Sequence, residues 1–217
     1  MKLGERKAGV VALLLGAASC VHAGESEVFV TCGSVIKLRH DATRFHLHSH
    51  VIKWGGGSGQ QSVTAHGGED DQGSMWIVKE GDGALPCEVG QPMACGSTIR
   101  LEHVNTGKNL HSHSFKSPLT KGQEVSAFGD SGEGDGGDSW ELICVHKDSD
   151  NWARDESVRL KHVSTKKYLH TTSGSKFTSS NCPNCPIIGQ TEVVCTGAAS
   201  SSWKADQGIF LGATSPS

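Results

Sequence analysis

The sequence predicts an all-β fold, a β-trefoil of three equivalent repeats with twelve short strands. Two observations carry this. First, the chain repeats itself three times. Second, glycine is abundant at 28 residues, aromatic residues are few at 6%, and no stretch reads as a long amphipathic helix. Such a composition favours short strands joined by turns.

The repeat is read from matched positions. Ile36-Lys37-Leu38-Arg39-His40, Ile99-Arg100-Leu101-Glu102-His103 and Val158-Arg159-Leu160-Lys161-His162 share one pattern. A second histidine follows eight residues after the last of each: His48, His111 and His170. Leu47, Leu110 and Leu169 precede these, and Ser49, Ser112 and Thr171 follow. Each copy then shows an alternating segment opened by Gln61, Gln123 or Gln190, and each reaches a tryptophan, Trp76, Trp140 or Trp203.

Each repeat of about 60 residues therefore offers four strands. In the first copy they fall near 34–39, 44–49, 61–66 and 74–79. Alternation puts Ile36 and Leu38 on one face, in the core, and Lys37 and Arg39 on the other, at the surface. One four-stranded unit cannot bury its apolar face alone; three around an axis can. A six-stranded barrel capped by three hairpins fits twelve strands. An open solenoid is the weaker alternative.

The N-terminus reads as a leader. Lys2, Arg6 and Lys7 precede an apolar run from Ala8 to Ala18, too short to cross a bilayer, and Val21-His22-Ala23 fits a cleavage site. The expected organisation is a signal peptide over 1–23 and one domain over 24–217, with repeats at about 28–87, 88–150 and 151–212. No further segment reads as a membrane span. The C-terminus carries no retrieval tetrapeptide of the KDEL type. A net charge of −3 argues against a nucleic-acid partner.

Of eight cysteines, Cys20 falls in the leader. Cys32 and Cys95 each stand four residues before a first strand, while Cys87 and Cys144 lie beyond a fourth-strand tryptophan. First and fourth strands of a trefoil repeat run antiparallel, so the start of one meets the end of the other. The expected pairs are Cys32–Cys87 and Cys95–Cys144; Cys87–Cys95 and Cys87–Cys144 stay open. Each expected pair would add roughly 4 kcal/mol through chain entropy. The third repeat has Arg154 where the first-strand cysteine would stand and no cysteine after Trp203, so it lacks both partners. Cys182-Pro183-Asn184-Cys185 lies in a polar insertion, without the helix that a redox C-x-x-C needs. A Cys182–Cys185 staple is the expectation. Cys195 is left over.

Histidine is plentiful, at 12 residues. His46, His48 and His50 alternate, as do His111 and His113, and alternation places side chains on one face. That makes a metal site conceivable. Recurrence of His40, His103, His162, His48, His111 and His170 by symmetry favours structural roles instead, and no metal is expected. The Leu-His-Ser-His face of the first two repeats, with Arg44, His46, His48, His50, His111 and His113, is the candidate partner-binding surface. The third repeat reads Leu169-His170-Thr171-Thr172 there, which points to a different job. The acidic stretches Asp130–Asp138 and Glu69–Asp71 do not match a calcium loop and read as solvated turns. No nucleophile, metalloprotease, phosphate-loop or dinucleotide motif appears, so neither enzyme activity nor a cofactor is expected.

The runs Val30–Leu38, Leu47–His50, Gly57–Thr64, His103–His113, Gly122–Gly129 and Trp203–Ala205 resemble the stromal cell-derived factor 2 family of MIR-repeat proteins. The resemblance spans roughly 28–212. It implies a lumenal protein of the endoplasmic reticulum. That protein would serve as an adaptor for a J-domain (Hsp40-type) co-chaperone and the lumenal Hsp70 in quality control and the unfolded-protein response. Misfolded secretory clients or glycans are further expected ligands. Two features depart from the family pattern: the missing retrieval signal, which leaves secretion open, and the Cys182–Cys185 insertion. A lectin-like trefoil is the alternative, but the Gln-x-Trp signature of ricin-type repeats is absent, with Ser74, Asp138 and Ser201 in the place of its glutamine.

Overall fold

The computed structural model describes Met1, residues 28–146 and residues 150–212; the expected leader and its cleavage site lie outside the described residues. The structure is all-β, with twelve strands in one sheet. The first repeat holds β1 (Val35–His40), β2 (His46–Lys53), β3 (Gln61–His66) and β4 (Met75–Glu80). The second holds β5 (Thr98–His103), β6 (Lys108–Lys116), β7 (Gln123–Phe128) and β8 (Trp140–Cys144). The third holds β9 (Ser157–His162), β10 (Tyr168–Lys176), β11 (Thr191–Thr196) and β12 (Trp203–Ile209).

Six of these strands close a ring. β1 pairs β4, β4 pairs β5, β5 pairs β8, β8 pairs β9, β9 pairs β12, and β12 returns to β1, every pairing antiparallel. The other six form the hairpins β2–β3, β6–β7 and β10–β11. Their second strands pair with one another, β3 with β7, β7 with β11 and β11 with β3. At the far end the chain segments entering the three repeats form a cycle of backbone bonds. Val30 donates to Trp152, Trp152 to Met93, and Met93 to Val30, at 2.8, 2.8 and 3.0 Å. Both ends of the ring are thereby tied, and among the described residues the six barrel strands leave no open edge.

The alternation read from sequence fills the centre. Ile36, Leu38, Ile99, Leu101, Val158 and Leu160 are fully buried together with Leu47, Leu110, Leu169, Trp76, Trp140 and Trp203. The basic residues of the first strands depart from expectation. Lys37 and Arg100 are buried rather than surface residues. Lys37 Nζ donates to the Glu69 carbonyl, and Arg100 reaches the Glu80 carboxylate at 3.2 Å and the Gly132 carbonyl at 3.3 Å. The loop residues Glu69 and Gly132 and the last residue of β4, Glu80, supply these acceptors, so the charges are enclosed without being left unpaired.

Register corrects one reading of the third repeat. Leu47 faces Ala65, Leu110 faces Ala127, and Leu169 faces Cys195. The counterpart of Gln61 and Gln123 is therefore Thr191, and Gln190 lies one residue earlier. A one-residue slip exchanges the two faces of a strand. Cys195 thus occupies the small-residue core position of Ala65 and Ala127. Its thiol is buried, and burial pushes it up to about 12.

Disulfides join Cys32 to Cys87 and Cys95 to Cys144, across 55 and 49 residues. Each ties the entry of a first strand to the exit of the antiparallel fourth strand. Cys182 and Cys185 are bonded within the third hairpin's insertion. There they pack against a small satellite core of Trp54, Phe177 and Ile187. Trp54 and Phe177 hold equivalent places just after the outgoing hairpin strands, so the insertion thickens the cap over the threefold axis.

Candidate binding face between the first two repeats

Three of the recurrent histidines, His40, His103 and His162, are bonded at both ring nitrogens. His103 lies 3.0 Å from the Gly73 carbonyl through Nε2 and 2.8 Å from the Thr106 hydroxyl through Nδ1. A carbonyl can only accept, so Nε2 carries the proton and Nδ1 accepts from Thr106. Thr106 accepts in turn from the Gln61 amide at 2.9 Å. The same relay runs Gln123 to Thr165 to His162 to the Gly137 carbonyl. His40 has Thr43 at 3.0 Å and the Ser201 hydroxyl at 3.1 Å. Each imidazole also leans on a barrel tryptophan, with ring centroids 4.9 to 5.1 Å apart. The indoles donate to the carbonyls of Leu47, Leu110 and Leu169. Burial drives His40 and His103 down to about 4, and lowers His162 in the same way.

His48, His111 and His170 anchor the approach to the fourth strands. His48 Nδ1 lies 2.6 Å from Asp71, His111 Nδ1 lies 2.9 Å from Asp138, and His170 Nδ1 meets the Ser201 hydroxyl. Burial raises Asp71, but hydrogen bonds from Ser74, His48 and Gly73 outweigh it and leave this carboxyl below its ordinary value. Asp71 and Asp135 each cap a short 3-10 turn, Gln72–Ser74 and Gly136–Asp138. The acidic stretches are therefore not wholly solvated turns. Asp138 is fully buried, because its carboxylate is consumed by His111, Asn109 and the Asp135 amide.

Of the expected binding residues, His46, His48 and His111 are buried. His46 Nε2 lies 3.2 Å from Asp206, which also pairs with Arg39. His50 and His113 are half-buried, and Arg44 is exposed. Arg44 sits at φ 63°, and its counterparts Gly107 and Lys166 sit at 61° and 59°. The turn from first to second strand demands the left-handed region there, and the Arg44 amide bonds back to the His40 carbonyl.

A groove of about 830 Å³ runs between the first hairpin and the second repeat, past Val51, Lys53, Gln60, Asn105, Phe128 and Glu133. A second cleft of about 340 Å³ adjoins it and takes in His48, His50, Asp71 and His103. Val51, Asn105 and Thr106 line both. Sequence reasoning found the histidines from their repetition. It missed Gln60, Asn105 and Glu133, which the fold brings together from separate repeats. Glu124 was missed too. It is fully buried, accepts from the Ser58 hydroxyl of the neighbouring repeat, and lies 3.2 Å from His113 Nε2. A glutamate inside an otherwise alternating apolar strand was the available signal.

Residues 56–196 match the MIR domain family model, so this is a MIR-domain protein. The chain is 46% identical to human stromal cell-derived factor 2 over 201 residues, which is 92% of this chain and 90% of that protein. It is similar in structure to the stromal cell-derived factor 2-like protein of Arabidopsis thaliana, with a TM-score of 0.78, 42% identity, and coverage of 85% and 98% of the two chains. It is also similar to part of the protein O-mannosyltransferase Pmt1–Pmt2 complex of S. cerevisiae, with a TM-score of 0.69 and 27% identity over 91% of this chain and 29% of that one. The chain belongs to the stromal cell-derived factor 2 family. Among the described residues no helix is long and apolar enough to cross a membrane. Its disulfides suit an oxidising compartment.

Proposed function

We propose that this chain is a non-enzymatic adaptor of the endoplasmic reticulum lumen. It is a β-trefoil that docks a J-domain co-chaperone, and through it the lumenal Hsp70, in quality control and the unfolded-protein response. The groove between the first two repeats carries this reading. It combines apolar side chains, Val51, which is 79% exposed, and Phe128, with amides and charges of both signs. Exposed apolar surface rimmed by polar groups is the chemistry of a protein interface.

The test is a pull-down from lumenal extract with wild-type chain and with His50→Ala, His113→Ala and Val51→Asp variants. A J-domain protein recovered with wild type and at least tenfold depleted with the variants supports docking on this face. Equal recovery moves the interface elsewhere, and no J-domain protein in any arm overturns the adaptor role. A glycan reading remains as the second one, because the same groove holds Gln60, Gln61 and Asn105. A glycan array with no bound sugar removes it.

A further inference from the structure

The three hairpins meet through their second strands, yet their tips are fastened differently. The first tip, residues 54–60, is held by Glu124 of β7. Its carboxylate accepts from the Ser58 hydroxyl and from the Ser58 amide at 3.4 Å. The second tip, residues 117–122, is held by Glu192 of β11. That carboxylate accepts from the amides of Leu119 and Thr120 at 2.7 and 2.8 Å and from the Thr120 hydroxyl at 2.6 Å. Register makes Ser62 of β3 the counterpart of these two glutamates. Its hydroxyl goes to the Ile52 carbonyl of its own hairpin at 2.9 Å. The third tip, residues 177–190, therefore meets no carboxylate there, and it is the longest of the three.

The third tip is closed on itself instead. At its base Phe177 exchanges backbone bonds with Gln190 and Gly189. Beyond the base, among the described residues, the hydrogen bonds of 178–188 stay within 176–190. Cys182 donates to the Thr178 carbonyl at 2.9 Å, and Thr178 donates to the Asn181 side chain at 2.9 Å. The tip's hold on the other hairpins is apolar. Phe177, Ile187, Cys182 and Cys185 pack with Trp54 of the first hairpin and Leu119 of the second. The Cys182–Cys185 bond is the covalent tie within this tip.

Accessibility does not single out this disulfide, since Cys87, Cys95 and Cys144 are half-buried like Cys182 and Cys185. Linkage does. A bond that stabilises the fold is harder to reduce in the folded chain by the same free energy, and in the chain-entropy account that stabilisation grows with the loop closed. Cys182 and Cys185 are 3 residues apart, whereas the other pairs are 55 and 49 apart. On loop length alone the short bond is easier to reduce by on the order of 40-fold. The long bonds tie the ends of barrel strands, but the short one stands outside the ring, beside exposed Pro183, Asn184 and Pro186. The pair lies in turns, without the helix N-terminus that activates an attacking cysteine. Its part in exchange is that of acceptor.

We propose that Cys182–Cys185 is a thiol–disulfide exchange site, a substrate for a dithiol of the thiol oxidoreductase class, and that its reduction unlocks the third hairpin tip. A thiolate of the dithiol attacks one sulfur of the pair and forms a mixed disulfide with it. The Cys182–Cys185 bond breaks, and the other sulfur leaves as a thiolate. The second thiol of the dithiol then attacks its partner sulfur in the mixed disulfide, which closes the reductant's own disulfide and releases the second cysteine. Two electrons and two protons pass to the chain. With the ring open, residues 178–188 lose their closure and uncover Trp54, Phe177 and Ile187.

The experiment treats the folded, oxidised full chain with graded dithiothreitol at neutral pH, blocks the free thiols with iodoacetamide and maps them by mass spectrometry. Cys182 and Cys185 should be labelled at a reductant concentration at least about tenfold below that needed for Cys32, Cys87, Cys95 or Cys144. Trp54 lies in the satellite core, apart from the other four tryptophans, and reports on the tip. Its emission should shift to the red at the same concentration, and the shift should be missing in Trp54→Phe. A Cys182→Ser/Cys185→Ser variant should show the shifted emission without reductant and keep the circular dichroism of the wild type. A thiol oxidoreductase whose resolving cysteine is replaced by serine should stay covalently joined to Cys182 or Cys185. Reduction of this pair together with or after the others, selective reduction that leaves Trp54 emission unmoved, or an oxidoreductase that joins another cysteine or none would each overturn the proposal.

Discussion

The third repeat solves by non-covalent contact what the first two solve with sulfur. In the first two, a disulfide ties the entry of the first strand to the exit of the fourth. Arg154 occupies the equivalent of Cys32 and Cys95, and its guanidinium lies 4.3 Å from the centroid of Phe210, just past β12. Phe210 packs on the main core at the rim, as Cys87 and Cys144 do. The topological demand is thus common to all three repeats, while the chemistry that meets it is not. A bond acts mainly by restricting the unfolded chain. A cation–π contact acts only in the folded state and only where water is kept away.

The largest test of that contrast removes the covalent ties. A Cys32→Ser/Cys87→Ser double variant, and separately Cys95→Ser/Cys144→Ser, should each lose about 4 kcal/mol in urea unfolding. Costs below 1 kcal/mol would mean that the ends of the strands hold themselves, and the chain-entropy account of the first two repeats would fall.

The histidine clips differ between repeats in the same spirit. In repeats one and two the acceptors for the next repeat's histidine are the backbone carbonyls of Gly73 and Gly137, set out by capped 3-10 turns. In the third a single side chain, Ser201, serves both His40 and His170. The Gln–Thr–His relay is also missing there, because Thr191 bonds Thr171 instead. His103→Ala should cost about 2–4 kcal/mol by leaving the Gly73 carbonyl and the Thr106 hydroxyl proton without their partner and opening a void beside Trp76. Ser201→Ala should cost less, about 1–2 kcal/mol, since a hydroxyl and not a ring is lost.

Acid sharpens the comparison. A histidine depressed to about 4 in the fold takes up its proton first in the unfolded chain, near 6.5. The unfolded state therefore binds more protons between these values, and stability falls as pH drops from 6.5 to 4. Unfolding midpoints should be flat from pH 8 to 7 and then decline across that window. Replacing His103 with glutamine should flatten the decline. An unchanged slope would show that other groups set the acid limit.

How much of this was legible in sequence follows the range of each contact. The repeats, the strands and the disulfide pairs could be read because matched residues recur at fixed spacing and opposite strand ends must meet. The counterpart of Gln61 could not, since Gln190 sits one residue from Thr191 and only the ladder register fixes which side chain faces the core. Nor could the partners of the buried carboxylates Glu124, Glu192 and Asp138. Glu192 takes the amides of Leu119 and Thr120 from 73 and 72 residues away, a pairing set by how one repeat's hairpin rests on the next. The Arg154–Phe210 contact escaped for the same reason: the missing cysteines were visible, but not what replaced them.

That replacement gives the next smaller effect. Arg154→Ala should cost about 1 kcal/mol, from a partly shielded cation–π contact and the packing of its stem on Phe210. Arg154→Lys should recover only part, since the ammonium cannot stack. A loss as large as that of a disulfide would mean that the rim contact also organises the cycle through Trp152, two residues upstream.

The smallest expected effect concerns Cys195. Alanine stands at the same core position in the other two repeats, as Ala65 and Ala127. Cys195→Ala should therefore change stability by under about 1 kcal/mol, the range of well-tolerated core exchanges. The native thiol should resist an aromatic disulfide reagent and react only on unfolding, because the buried sulfur forms no thiolate at neutral pH. Rapid reaction in the native state would mean that β11 opens locally. The third repeat, which lacks both the disulfide and the glutamine relay, would then be the weakest sector of the ring.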